Sequence, residues 1–559
     1  MQSNIKYLST SSGKSVILMI NNKSYIFNIF EGFQRYCIEK NISLKFITTI
    51  FIPNVECIPS FCGIYLTLRD MNIKRLTLVC TKNIEAYIRK AYEFCPPNQL
   101  DINFVCDVYE DEYIKVSSRY IIQIKNTRGR FIIENVPKSI PKYLYKDLVN
   151  GKQIKVGDVF YKGSDFLEPE IKFNKIFILV DSIDEQVDDQ CLVLCFRKIE
   201  YNLYSKICKN VWYLRINKYV EFVSQYNLLV GLNKISNDHH LPGPYLKSKL
   251  IPRTKLVKYL SSGDSFNYSK DIQNFKVSKE RIIKYKSVRN EYCKNSVLFL
   301  GSGCAIPSKY RNVTGILVNI ENKIFLFDCG EDTMYQIYRY YGSLKILDKI
   351  EMIFISHSHG DHSLGVINLI KKLKHTVKLV GPSVILQWVE LFSDNFIPLC
   401  TDKAKTLQYS YNENSDFNRH ILSYNYEYKV SFCGCVHSND SCSVSLEYEG
   451  IKISYSGDTR PSLLFSKMAY HSNVLIHEST FDNENQDKAL KTSHSTVKEA
   501  NEIFKISESG VLLLTHFSQR YPKKFISDSS GIPCYDFYTY LIGRSIFKEK
   551  EISEYLETL

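Results

Sequence analysis

Glu351-Met-Ile-Phe-Ile355-Ser-His357-Ser-His359-Gly-Asp361-His362 decides how the rest of this chain is read. It opens as a largely apolar run of strand length and closes on three imidazoles and a carboxylate packed into six residues. That donor set at the end of a strand suits a borderline-soft divalent ion such as zinc. Alternation along an extended segment points His357 and His359 the same way. The turn that follows lets Asp361 and His362 address a second ion a few ångströms off. A lone histidine would be an ordinary core or surface residue, but this cluster has no purely structural use.

Two ions need more donors, and the sequence nominates them. His437 lies in Cys435-Val-His437-Ser-Asn, and His516 follows the apolar run 511–514. Asp458 lies in Tyr455-Ser-Gly457-Asp458-Thr459, after the strand-like 451–454, where a carboxylate can bridge both ions. Asp328, after 325–327, is placed behind the ligands, orienting one of the histidines. Paired divalent ions lower the pKa of a shared water and stabilise developing negative charge. Asp361 can hold that nucleophile and take its proton. A leaving alkoxide then needs a general acid. The candidates are Glu478, in His477-Glu478-Ser-Thr480, and His494, in Ser493-His494-Ser-Thr496. A glutamate beside an imidazole keeps it protonated, so His494 is read as the acid and Glu478 as its orienter. The alternative is a capping or surface pair.

Outward from this cluster the chain repeats itself. Tyr25-Ile-Phe-Asn-Ile-Phe-Glu-Gly-Phe-Gln34 precedes Ile50-Phe-Ile-Pro-Asn54, as Phe325-Leu-Phe-Asp-Cys-Gly-Glu-Asp-Thr333 precedes Ile353-Phe-Ile-Ser-His357. A helix-like run and a short strand follow each. Asn54, Glu56, Ile58 and Pro59 stand where the second copy has His357, His359, Asp361 and His362. Read this way, the two halves are copies of one α/β domain and the first has lost its ligands; the alternative is chance similarity. Residues 1–200 form the degenerate copy, 201–295 an inter-domain connection and 296–559 the metal-binding copy. Inside the first copy, 131–172 is polar, broken by proline and rich in lysine (Lys138, Lys142, Lys146, Lys152, Lys155), with Asp147 opposing. It reads as a protruding basic arm, or else as a solvated excursion of the surface.

Charge follows the same division. The 559 residues carry a net +13, yet 296–559 holds 27 Lys and Arg against 30 Asp and Glu, which leaves +16 to residues 1–295. All 12 histidines lie at or beyond His239. Polyanion capture on one side and metal chemistry on the other is the expected arrangement. With 44% hydrophobic residues the chain can build large cores, which excludes global disorder. No apolar run approaches the roughly 20 residues of a membrane span, so no membrane partner is expected. Seventeen scattered cysteines suit a reducing compartment. Nucleus or cytosol is expected ahead of the mitochondrion, since no transit peptide is visible before the domain begins near Ile5.

The full pattern, His357-x-His359-x-Asp361-His362 with His437, Asp458 and His516, resembles the metallo-β-lactamase superfamily. More narrowly it is similar to the long form of tRNase Z, the endonucleases that remove 3′ trailers from precursor tRNA. Leu300-Gly-Ser-Gly303-Cys-Ala-Ile-Pro307-Ser-Lys309-Tyr-Arg311-Asn312 is similar to that family's Gly-rich turn and its Pro-x-Lys-x-Arg-Asn loop near the cleavage site. His477-Glu478-Ser-Thr480 departs from the usual His-Glu-Ala-Thr by one small residue, and His494-Ser-Thr496 and His516-Phe-Ser-Gln-Arg520-Tyr521 also fit. The resemblance implies two tandem αββα sandwiches. It implies two zinc ions in the catalytic domain, one on His357, His359, His437 and Asp458, the other on Asp361, His362, Asp458 and His516. It makes Asp361 the proton acceptor and His494 with Glu478 the proton-donating pair. The implied substrate is precursor tRNA, cut after the discriminator nucleotide to leave a tRNA 3′-hydroxyl and a trailer 5′-phosphate. Lys309, Arg311 and Asn312 are then expected at the RNA near the site, and Lys138, Lys142, Lys146 and Lys152 on the arm. Two features depart from the family: Ser139-Ile140-Pro141 replaces the arm's Gly-Pro pair, and Asp332 replaces a glycine after Asp-Cys-Gly-Glu. A monomer is expected, because two copies are already paired within the chain. The rivals are another hydrolase of the same fold, acting on a thioester, lactam or small phosphodiester, and a non-catalytic RNA-binding scaffold.

Overall fold

The computed structural model describes residues 3–20, 22–106, 108–117, 121–125, 131–167, 176–179, 192–195, 211–213, 255–259, 268–269, 294–411, 416–521 and 530–543. Alternation on both faces builds the C-terminal lobe. In the strand Ser296–Gly301, Val297 and Phe299 pack into one core and Leu298 and Leu300 into another. Lys323–Cys329 does the same with Phe325 and Phe327 against Ile324 and Leu326. A sheet apolar on both faces must be covered on both. One cover is a second sheet, and Phe327 stacks on its Tyr455 with ring centroids 6.0 Å apart. The other is a layer of helices.

The first sheet of this lobe runs Phe396–Cys400, Val377–Gly381, Ile350–Phe354, Lys323–Cys329, Gly315–Ile320, Ser296–Gly301, Thr539–Leu541. The second runs Leu422–Asn425, Lys429–Gly434, Cys442–Tyr448, Ile451–Tyr455, Val474–Glu478, Leu512–Thr515, Ile532–Pro533. Helices Leu463–Met468 and Val497–Ile506 cover its outer face. The lobe is an αββα sandwich.

The N-terminal lobe repeats the pattern. Its first sheet runs Asp101–Val105, Arg75–Val79, Ile47–Phe51, Lys23–Phe27, Lys14–Ile20, Ser3–Ser9, Lys255–Tyr259, Tyr268–Ser269. In both lobes the second and third strands of the chain form a hairpin, and the third, fourth, fifth and sixth pair in parallel. Even the backbone exceptions recur: Asn28 and Asp328 leave equivalent strands at φ 60 and 57. The strands Lys255–Tyr259, Tyr268–Ser269 and Val211–Tyr213 correct the expectation that 201–295 merely connects the lobes. Lys255–Tyr259 pairs antiparallel with Ser3–Ser9, and Val211–Tyr213 parallel with Leu192–Cys195, so this stretch supplies strands to the N-terminal lobe. The rest of it lies outside the described residues.

The second N-terminal sheet runs Tyr109–Glu110, Ile114–Val116, Ile121–Ile124, Ile176–Leu179, Leu192–Cys195, Val211–Tyr213. Its antiparallel pair Ile121–Ile124 and Ile176–Leu179 corresponds to Cys442–Tyr448 and Ile451–Tyr455 in the other lobe. There the two strands are joined by a tight turn at Glu449 and Gly450, both at positive φ. Here the same turn carries the arm. Described over 131–167, the arm has its own small core of Val136, Ile140, Leu148, Ile154 and Phe166, with a hairpin of Gln153–Val156 and Val159–Lys162. Lys138, Lys142, Lys146 and Lys152 are exposed, Lys152 paired with Asp147 at 2.8 Å. The end of the expected arm, 168–172, lies outside the described residues.

The helical layers of the two lobes meet in one continuous apolar cluster, where Phe94 packs edge-on to Trp388 and Tyr87 against Phe392. At its centre the copies exchange contacts. Gly32 N–H donates to Glu331 Oε1 and Asp332 N–H to Glu31 Oε1, each at 2.9 Å. Gly32 and Asp332 are the equivalent N-caps of Phe33–Glu39 and Thr333–Tyr341, at φ 79 and 72. Asp332 therefore keeps the glycine-like geometry, its carboxylate gripped by Arg339 at 2.6 and 3.1 Å. A Cβ on Gly32 would lie 2.8 Å from that carboxylate, so only one of the twin positions can bear a side chain.

Burial, with the charge of Asp332 adding to it, pushes the Glu31 carboxyl up to about 8. The folded chain thus holds this proton more tightly than the unfolded one, and stability falls as pH rises from the ordinary carboxylate range through about 8. Glu31→Gln should flatten part of that fall, read as thermal unfolding midpoints between about pH 6 and 8; an unaltered pH slope would count against the assignment.

Candidate metal centre

The site forms where strands of both C-terminal sheets end on one edge of the sandwich. Ile350–Phe354 delivers His357, and the short helix Gly360–Ser363 carries Asp361 and His362. Ile451–Tyr455 delivers Asp458 after Gly457 at φ 57, and Leu512–Thr515 delivers His516, itself at φ 62. His437 follows Lys429–Gly434. Non-glycine residues at positive φ beside a site are strain held by the surrounding structure.

All seven expected ligands converge. One donor from each of His357, His359, His437 and Asp458 lies within 4.8 Å of the others, and the same holds for His362, Asp458 and His516. His359 Nδ1 is 2.9 Å from His357 Nε2 and 3.2 Å from His437 Nε2. His516 Nε2 stands 3.2 Å from His362 Nε2 and 3.4 Å from Asp361 Oδ2. Donors about 2.0–2.1 Å from a tetrahedral ion stand roughly 3.3 Å apart, so the spacing fits. Asp458 Oδ1 is buried with no hydrogen-bond partner among the described residues, a cost that a cation removes.

Outer partners fix which nitrogen faces inward. His362 Nδ1 donates to Asp328 Oδ2 at 2.7 Å, and Asp328 also accepts from Ser356 N–H, Ser356 Oγ and Tyr455 Oη. Asp328, expected behind the ligands, lies against His362. His437 Nδ1 donates to the Ser493 carbonyl, and His516 Nδ1 bonds Thr480 Oγ1. Burial lowers the pKa of His357, His359 and, to about 4, of His437, favouring the neutral imidazoles that bind metals. Burial works against ionising Asp361 and Asp458 too, but neighbouring histidines hold both below the usual carboxylate range.

His494 Nδ1 donates to Glu478 Oε1 at 2.9 Å. Burial disfavours its cation, but the Glu478 carboxylate outweighs that and raises His494 to about 9. The ring lies beside the ligands, 3.9 Å from Asp458 Oδ2. Three contributors here were not anticipated. Thr480 Oγ1 joins Glu478, His494 and His516. Arg460 bonds the His494 carbonyl and pairs with Glu499, which closes the capping box of Val497–Ile506 on Thr496. Cys304 brings a thiol within 4.8 Å of donors on Asp361 and His516. Thr480 was legible beside Glu478 and Cys304 within the Gly-rich turn after Gly303, whereas Arg460 has no spacing to mark it.

The loop after Gly303 corrects one expectation. Arg311 and Asn312 do not face the site. Each is 1% exposed, Arg311 bonded to the Tyr521 carbonyl over the Phe517 and Tyr535 rings, Asn312 donating to the Glu331 carbonyl. They brace the loop from inside, because the turn from Ser308 to Arg311 folds their side chains under it. Lys309 stays half-exposed.

The αββα sandwich with this His/Asp cluster at its edge is a metallo-β-lactamase-like fold. A family model described as "Anti-Pycsar protein Apyc1" matches residues 295–529. The chain is similar to "Ribonuclease Z 1" of Schizosaccharomyces pombe, 35% identical over 259 residues that are 40% of this chain and 31% of the relative. It is also similar to "Zinc phosphodiesterase ELAC protein 2" of Gorilla gorilla gorilla, 29% identical over 284 residues, 46% of this chain and 34% of the relative. These alignments span about a third of the curated relatives' length, 31% and 34%. Over the whole molecule the fold matches a long-form RNase Z from yeast, with TM-score 0.71, 18% identity, and coverage of 100% of this chain and 98% of that one. That likeness, at 18% identity, is one of architecture over the whole molecule.

If the donors bind metal as their geometry indicates, Asp458→Ala should lower the divalent-metal content of purified protein more than His437→Ala, and His494→Gln should leave it unchanged. Elemental analysis measures all three, and full metal occupancy in Asp458→Ala would dismiss the shared role of that carboxylate.

Proposed function

We propose that this chain is a zinc-dependent endoribonuclease that removes the 3′ trailer of precursor tRNA, with two ions in its C-terminal lobe. The observation that carries the reading is the meeting of a complete His/Asp donor set with a buried, charged His494–Glu478 pair at the same edge of the fold. Two bound zinc ions would supply an acidified water and neutralise charge on the phosphate. The chain's own residues do the rest. Asp361, fixed by the Ala305 N–H at 2.6 Å, accepts the water's proton. His494, kept protonated by Glu478, donates to the departing 3′-oxygen, leaving a tRNA 3′-hydroxyl and a trailer 5′-phosphate.

Substrate choice rests on charge. A catalytic half of net −3 does not concentrate a polyanion, and a partner half of +16 does. The exposed arm lysines extend that basic surface away from the site, which suits recognition of a folded RNA by its shape and backbone. The zinc name and the ribonuclease names belong to the relatives and support this reading. The second reading, a hydrolase of small phosphodiesters, draws on the catalytic half alone, where the matched family model begins and ends. The protein is proposed to act as a monomer in nucleus or cytosol. None of the described helices is long and apolar enough to cross a membrane.

Incubation with precursor tRNA, with and without chelator, should yield one cut after the discriminator nucleotide in the absence of chelator only; an intact precursor in both would reject the reading. His494→Ala should lower kcat by about 10²–10⁴ while metal content holds. Deleting 136–155 should mainly raise KM, and a selective fall in kcat would remove the arm from substrate binding.

A further inference from the structure

The N-terminal lobe, which gathers no cluster of metal-donor side chains among the described residues, reaches into the lobe that does. Arg35, on the N-terminal helix Phe33–Glu39, is 0% exposed, and its guanidinium lies across the boundary. Its Nε donates to the Ser308 carbonyl at 3.1 Å, and its terminal nitrogen lies 3.7 Å from Asp536 Oδ2. Asp536 in turn accepts from the Asn312 N–H at 2.6 Å. Between these anchors Ser308 and Arg311 close a turn by a backbone bond of 2.8 Å. The half-exposed corner of that turn is Lys309, whose ammonium donates to Asn41 Oδ1, just past the same N-terminal helix, at 3.3 Å. Residues 302–304 share Asp536, whose Oδ1 accepts from Ser302 N–H and Oγ at 3.0 and 2.9 Å, but they have further attachments, Cys304 N–H to the Phe517 carbonyl and Phe517 N–H to the Ser302 carbonyl.

We propose that Arg35 is a positioning residue: through it the ligand-free lobe fixes the 308–312 turn and so the place at which Lys309 meets the RNA near the cut. The proposal rests on the endoribonuclease reading for its substrate. An arginine suits the task because its rigid guanidinium sets Nε on the carbonyl while holding its charge within ion-pair distance of the carboxylate, which an ammonium on a flexible stem does not. A buried charge of this kind is costly unless both partners are kept, so the turn and the guanidinium hold each other in place. Loss of Arg35 would loosen the turn and leave the metal donors, which hang on other strands, where they are.

The test uses the full chain carrying Arg35→Lys or Arg35→Met. Hydrogen exchange should quicken in the 306–312 peptide of the folded variants and stay at the wild-type rate around 456–460. Cleavage of precursor tRNA should fall about 10–100-fold in kcat/KM, with Arg35→Lys the milder. Turnover of bis(4-nitrophenyl) phosphate, which is too small to need the turn, should change less than about twofold. Unchanged exchange at 306–312, or an equal fall on both substrates, would overturn the proposal. If neither variant shows a folded melting transition, Arg35 is a residue of folding and the positioning role falls. A wild-type protein that hydrolyses the small diester but cuts no RNA would sink the endoribonuclease reading alone, since the exchange measurement needs no substrate.

Discussion

One oxygen organises the C-terminal lobe. Asp458 Oδ2 lies 3.3 Å from His362, 3.4 Å from His516, 3.7 Å from His357, 3.8 Å from His437 and 3.9 Å from His494. His494 is held protonated by Glu478, but the other four imidazoles bring ring nitrogens together around one carboxylate oxygen away from water, a crowding that bound cations would relieve. The backbone holds it ready: His516 and Gly457 both take positive φ, and Asp328 ties His362 to Ser356 and Tyr455. The two sheets are the frame that makes this possible, since each contributes strand ends to one rim.

The second constraint is the seam between the copies. Glu31 and Glu331 swap bonds with the opposite loop, as the halves of a two-fold dimer would. The seam lies in an apolar layer to which both lobes contribute helices, so neither lobe buries that face without the other. A copy that keeps this seam can lose Asn54, Glu56, Ile58 and Pro59 as ligand positions without losing its place in the molecule. The same seam lets a side chain of the barren copy, Arg35, lie under a loop of the other.

Much of this was legible in the residues. The alternation of short strand-like and helix-length runs, the spacing of His357 to His362 and the parallel between 25–34 and 325–333 mark an α/β chain, the donors and the duplication, because each is local in the sequence, while the sandwich was implied by the family resemblance. The His494–Glu478 pair was legible from its chemistry. What escaped depends on distance along the chain. Nothing near 255–259 says that it pairs with Ser3–Ser9. Arg311 and Asn312 look like residues for a phosphate, and only the folded turn shows them pointing inward at Tyr521 and Glu331. Asp332 looked like a misfit where glycine is usual, until Arg339 and the bare Cα of Gly32 made room for it.

The arm grows from the spot where its twin has a two-residue bend at Glu449 and Gly450. A hairpin end is the one place in a sheet where chain can be added without disturbing the ladder on either side, and lengthening such an excursion costs only slowly rising closure entropy. Because the appendage folds around Val136, Ile140, Leu148, Ile154 and Phe166, it brings its own stability and borrows little from the host sheet. Evolution could therefore lengthen, shorten or exchange this outgrowth while the rim carrying the histidines stayed untouched, so reach and chemistry were free to change at separate rates.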